Sequence, residues 1–255
     1  MENILSPEIL AVVCFAAFLV GIINTVFGVG GSLLAYPILL HWLPDKIIIG
    51  VLSIIVIMVT AHRIFLFHQA LSFRAIQFFL LLGIPSSIAG AFLLSKIGVD
   101  LLRSVVGLFL IVITLHDWLS EKRAFPTPVK ETAPSHPPKS FIAVGGVSGF
   151  LTGLIGSAGV INTAFLLRAG FTKEGISVNQ AGIALAYSLI KFPVYWKYEI
   201  ITPSILLAGV IATIGSASGT FLGSYLLRKL SVRRFTFFLR ILILLIGFNL
   251  ILNFF

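Results

Sequence analysis

Charge is scarce in this 255-residue chain, where 11% of residues are Asp, Glu, Lys or Arg and 58% are apolar. Soluble domains carry roughly 25% charged residues, so a water-facing globule is excluded and most side chains must meet lipid. The acidic residues are the scarcer sign: Glu2, Glu8, Asp45, Asp100, Asp117, Glu121, Glu131, Glu174 and Glu199, each at the end of an apolar run or in a break. No carboxylate is therefore expected inside a span as a proton or sodium relay. Cysteine is nearly absent, and Cys14 alone excludes an intramolecular disulfide. No Lys or Arg precedes Lys46, so the start lacks the basic region of a cleaved signal peptide and the first apolar run is expected to be structural.

Catalytic signatures are missing too. There is no HExxH, no paired carboxylate and no Ser-His-Asp set. Ser157, in a glycine-rich break, imitates an intramembrane nucleophile but has no evident partner histidine. His41, His62, His68, His116 and His136 are scattered, which gives no metal-ligand spacing. The expectation is a non-enzyme without metal or cofactor. The net charge of +9 would suggest nucleic acid in a soluble protein. Here the basic residues occupy the breaks, where they report orientation, and nucleic acid is discounted.

What is abundant is apolar length. Runs at 9–43, 46–68, 72–95, 99–119, 140–167, 174–197, 201–227 and 232–255 each reach the ~20 residues a helical span needs. The runs also repeat. Gly21, Gly28 and Gly31 overlay Gly149, Gly156 and Gly159 at an offset of 128, and Ile84–Ser95 overlays Thr213–Ser224 at 129, with Ser87, Gly90, Phe92, Leu93 and Ser95 meeting identical residues. Two blocks in one order indicate duplication. The expected organisation is a first transmembrane repeat at 1–119, a solvent-exposed linker at 120–139 and a second repeat at 140–255. The linker carries Pro126, Pro128, Pro134, Pro137 and Pro138 and no apolar period.

Eight full crossings would divide the basic residues evenly. If the long first element of each repeat instead enters and returns on one side, only Lys46, Lys96, Arg103 and Lys197 oppose the remaining loop cations, which satisfies the positive-inside rule. The predicted fold is an all-α polytopic membrane protein of two inverted repeats. Each has a broken or re-entrant Gly-rich element followed by three transmembrane helices, and both termini lie outside. One crossing plus a half-helix is the other division of 9–43, and eight parallel spans the other topology.

The candidate site lies at the two breaks: Asn24, Thr25, Gly28, Gly30, Gly31 and Ser32 in the first, and Thr152, Gly153, Gly156, Ser157, Gly159, Asn162 and Thr163 in the second. Unwound backbone at membrane depth is tolerated only when buried in protein or lining a cavity. Helices restarting there would aim free N–H groups and positive dipole ends at one point, which suits an anion. The plain alternative is small-residue helix packing. Extending the second block backwards sets His62 opposite Lys191, basic residues able to hold an anion or to snorkel to the interface. Asn179 and Gln180 would line the path or bond between helices. Arg63 and Arg240 are assigned to topology and interface anchoring.

The stretch GVGGSLLAYP at 28–37, its degenerate copy GSAGVINTAF at 156–165, and the GAFLLS and GTFLGS segments resemble the TauE/SafE-type sulfite exporter family over nearly the whole chain. The second copy departs from the family pattern at Ala158 and Phe165, where glycine and proline are expected. The resemblance implies a multi-pass permease of the bacterial inner membrane for sulfite, organosulfonates or related sulfur anions. Its expected partners are a small anionic substrate and the lipid bilayer, and a homo-oligomer is compatible with it. Export driven by the membrane potential is expected. A carrier of another small solute and a structural subunit are the competing classes.

Overall fold

The computed structural model describes residues 4–28, 30–94, 108, 111–112, 115, 139–155, 159–231, 234–235, 237–238, 241, 244–245 and 248. The described residues are helical, joined by short turns. Among them four helices are long and apolar enough to cross a membrane: Pro7–Phe27, Lys46–Ala70, Phe73–Gly90 and Pro203–Lys229. The runs expected at 99–119 and 232–255 fall largely outside the described residues, as does the linker apart from Lys139.

Local chemistry sets the first elements. Helix α1 (Pro7–Phe27) opens with Ser6 accepting from the Ile9 N–H and with Pro7 where no N–H is needed. It closes at Gly28, whose φ of 83° is left-handed and whose N–H donates to the Asn24 carbonyl. Gly30, at φ 94°, then starts α2 (Gly31–Leu40). The apolar run at 9–43 is thus one helix of spanning length, a two-glycine break and a ten-residue helix. At 1.5 Å per residue α2 is about 15 Å long, half a hydrocarbon core. Helix α3 (Asp45–Phe67) leads through a single 3-10 turn, His68–Ala70, to α4 (Phe73–Leu94).

The next elements are α5 (Ser140–Ile155), α6 (Gly159–Arg168) and α7 (Lys173–Lys197). A nearly continuous pair follows, α8 (Pro203–Ile211) and α9 (Thr213–Lys229). The run at 140–167 is thus described as two helical stretches, with residues 156–158 between them outside the described residues. Helices α3 and α7 begin 128 residues apart. That register places Arg63, not His62, opposite Lys191. The sequence overlay slipped because it was carried backwards from a block whose offset is one residue larger.

Packing crosses between the halves of the chain. The most extensive helix contacts join α4 to α5 and α1 to α9, followed by α3 against α7. Without a hydrophobic drive between helices in lipid, close backbone approach supplies the attraction, and glycine permits it. A Cβ at Gly215 or Gly219 would strike the carbonyls of Cys14 and Phe18, and one at Gly145 or Gly149 the backbones of Phe79 and Gly83.

Two apolar cores result. One is built from α1, α2, α3 and α8 and includes Val13, Val20, Leu39, Ile55, Val59 and Ile205. The other, around Phe79, Phe141, Leu166, Ile183 and Leu227, draws mainly on α4 to α7. Phe165, which departs from the family pattern, packs edge-on against Phe141 and Phe79 at centroid distances of 5.0 and 5.8 Å. Along α1 and α3 the first core ends at Val20 and Val59, and the second takes over at Phe27 and Ile64. The polar residues between those limits form a seam.

Candidate functional site in the polar seam

At the end of α1 the side chains are tied to the backbone. Asn24 Oδ1 accepts the N–H of Gly31 at 2.9 Å, so this amide bridges the glycine break and fixes the start of α2. Thr25 Oγ1 donates to the Gly21 carbonyl at 2.6 Å, and its own carbonyl accepts from Ser177 Oγ on α7 at 2.9 Å. Both residues are buried. They hold the break together, and Asn24 Oδ1 is committed to that duty.

The residue on which the seam turns is Arg63, only 1% exposed. Its Nε donates to Ser177 Oγ at 3.1 Å and its Nη2 to the Ser177 carbonyl. No carboxylate among the described residues pairs with it. The anchoring role expected for Arg63 is thus overturned. Position near the end of a run suggested an interfacial side chain, whereas the helix turns this residue inward against α7. Burying a guanidinium without a counter-charge costs several kcal/mol, and intramembrane cations that persist at such cost mark functional sites.

One helical turn further along both α1 and α7 lies a second layer. Gly28 is buried there, and a Cβ on it would come within 2.9 Å of Thr163 Oγ1 and 3.4 Å of Gln180 Cγ. Thr163, Gln180 and neighbouring Asn162 are at most 4% exposed. Thr163 Oγ1, Gln180 Oε1 and Asn162 Oδ1 are each enclosed with no hydrogen-bond partner among the described residues. Buried polar atoms are nearly always bonded. Two of these orphans lie beside Gly28, a turn along α1 and α7 from a guanidinium with no carboxylate partner among the described residues, and the third is next to Thr163 in sequence. A hydroxyl rotates, and a side-chain amide presents either its donor or its acceptor end.

The remaining expected residues divide. Gly31 is buried against Val20, Ser32 is half-buried, and Gly159 begins α6. Thr152 Oγ1 donates to the Ser148 carbonyl at 2.7 Å. Gly153 lies within α5, while Gly156 and Ser157 fall outside the described residues. Asn179 is not part of the path. Its Nδ2 donates to the carbonyls of Ala70 and Gly175, and its Oδ1 accepts from the Ser72 N–H at 2.8 Å, which fastens the α3–α4 connection to α7. His62 is half-buried with an enclosed, unpartnered Nδ1. Lys191 is half-buried on α7, about 21 Å along the helix from Ser177, so it does not join Arg63. Arg63 and Ser177 are the two residues missing from the sequence-based site. A cation inside an apolar run was the available signal for the first, and nothing local distinguishes the second.

No grouping of three or more His, Cys, Asp or Glu side chains able to hold a metal ion occurs among the described residues. In the comparisons with known proteins, no curated protein and no solved structure matches the chain. The family model described as sulfite exporter TauE/SafE matches residues 13–250. With four helices of spanning length among the described residues and nearly its whole length matched, this chain is a multi-pass membrane protein that belongs to the TauE/SafE sulfite exporter family.

Proposed function

We propose that the protein carries a small sulfur oxyanion, sulfite or an organosulfonate, out of the cell through the polar seam. The observation that carries this reading is the buried guanidinium of Arg63, without a carboxylate partner among the described residues, on Ser177 one turn along α7 from Gln180, whose orphaned group and that of Thr163 lie beside Gly28. A forked guanidinium suits a three-oxygen anion head, since it offers parallel donors to two oxygens at once. Gly28, without a Cβ, lets the break lie directly against Thr163 and Gln180. The family assignment favours the sulfur chemistry.

Duplication with inversion accounts for the frame. The first helix of each half packs on the last described helix of the other half, and α3 packs on its counterpart α7. This is a plan in which two halves rock about a site near the bilayer midplane. The potential alone moves the cargo outward: with the inside negative, it supplies about 2.3 kcal/mol per charge per 100 mV. No proton relay is then needed.

The test is flux of labelled sulfite and of a panel of sulfonates in proteoliposomes, with potential and pH gradient set independently. Flux that follows the potential at zero pH gradient is expected. Flux that vanishes without a proton gradient at fixed potential refutes uncoupled passage, and no movement of any sulfur anion refutes the assignment of cargo.

A further inference from the structure

We infer that the seam takes its substrate as a monoanion, so that sulfite crosses as hydrogensulfite and the doubly charged form is refused. This rests on the oxyanion reading above and adds the charge state of the cargo. The reason is charge accounting within the described helices that surround the site, where Arg234, next to the Phe235 ring that stacks on Phe27, is exposed.

Arg63 supplies one positive charge. On α7, Glu174 precedes Ser177 by one turn and makes no ion pair with Arg63, so it can only lower the local positive charge. Lys173 is occupied elsewhere, its Nζ donating to the carbonyls of Leu227 and Leu230 at 2.9 and 2.6 Å. Lys191 is about 21 Å further along. Helix α1 holds no ionisable side chain but Glu8 and Cys14, and α2 holds none but Tyr36. The cations of α6 and α9 are Arg168, Arg228 and Lys229, all in last turns, and α5 and α8 have none. Arg74 sits at the start of α4. On α3, only His62 stands beside Arg63.

The groups completing the site, Thr163, Gln180 and Asn162, are neutral. One guanidinium against one anionic charge leaves the seam neutral. A dianion would leave a net charge buried in low dielectric, which is strongly disfavoured.

Sulfite exchanges its last proton near neutral pH, whereas methanesulfonate is a monoanion throughout that range. The two are compared in proteoliposomes at zero potential, with equal pH on both sides and fixed total concentration, as pH is raised across neutrality. The ratio of sulfite to methanesulfonate flux is the readout, because titration of His62 or any other protein group divides out. The expected result is a ratio that falls about tenfold per pH unit once the dianion dominates. A ratio that stays level or rises shows that the dianion is carried and overturns the inference, while the oxyanion pathway stands. Movement of neither anion overturns that pathway, and the inference with it.

Discussion

Replacing Arg63 with methionine should make the protein more stable and nearly inactive, a dissociation that a structural arginine would not produce. Methionine keeps most of the length and apolar volume, so the inward face of α3 stays filled. What is lost is one buried charge and its bonds to Ser177 Oγ and the Ser177 carbonyl. Ser177 is left satisfied, because its hydroxyl still donates to the Thr25 carbonyl at 2.9 Å. Exchanging a buried ion for a well-packed apolar residue is typically neutral or stabilising by about 1–4 kcal/mol. Transport should move the other way. Two charge-assisted hydrogen bonds to the cargo, at about 1.5–3 kcal/mol each, correspond to a loss of two to four orders of magnitude in flux at low substrate. Arg63→Lys keeps the charge without the fork and should fall between. Thermal unfolding in detergent and sulfite flux in proteoliposomes, on the same preparations, give both numbers. A lower melting temperature with flux retained would refute the reasoning and make Arg63 a structural tie between α3 and α7.

Other substitutions separate the parts of the seam. Gly28 and Gly170 share a left-handed φ, 83° and 85°, but a Cβ at Gly28 meets Thr163 while nothing lies within 4 Å at Gly170. Asparagine tolerates that backbone, so Gly170→Asn should be neutral to melting and Gly28→Asn should lower both melting temperature and flux. Thr163→Val removes an oxygen that has no partner among the described residues. It should raise stability in the absence of substrate by about 1 kcal/mol and cut flux at least tenfold. Asn179→Leu breaks three bonds, two of which fasten the α3–α4 connection, and should cost about 3 kcal/mol, read by chemical unfolding. Lys173→Met uncaps the carbonyls at the end of α9. It should speed hydrogen exchange at residues 226–230 and leave flux within a factor of two.

The helical class and the interruption after Phe27 were legible because they depend on composition and on glycine, which hydropathy and spacing record directly; the second expected break, at 156–158, lies outside the described residues. The family was legible for the same reason, since its motifs are glycine patterns. The direction in which a side chain faces was not. Arg63 and His62 are adjacent, about 100° apart around α3, and only the packing of α7 decides which one is enclosed. Asn24 looked like a ligand because it is polar and beside a break. Its acceptor is consumed by the Gly31 N–H seven residues on, a bond that exists only once the chain has turned at Gly28. Asn179 failed similarly, its partners Ala70 and Ser72 lying more than a hundred residues earlier. Gln180 and Thr163 were named correctly as buried polar groups, but their lack of partners is a property of the folded seam.

The pairing of α1 with α9 also sets the order of assembly. Cys14 Sγ approaches the Ile211 carbonyl at 3.9 Å across 197 residues of sequence. At the ~5–20 residues per second of synthesis, α1 enters the membrane tens of seconds before the helix it clasps exists. It must wait in lipid with its contact face bare, and an uncharged face of Cys14, Phe18, Ile22 and Thr25 can do so where one bearing charges could not. The last helix of the clasp to be made is therefore the one that closes it. A chain stopped before α9 should insert yet remain unlatched, open to proteases and to the glycine faces of neighbouring copies.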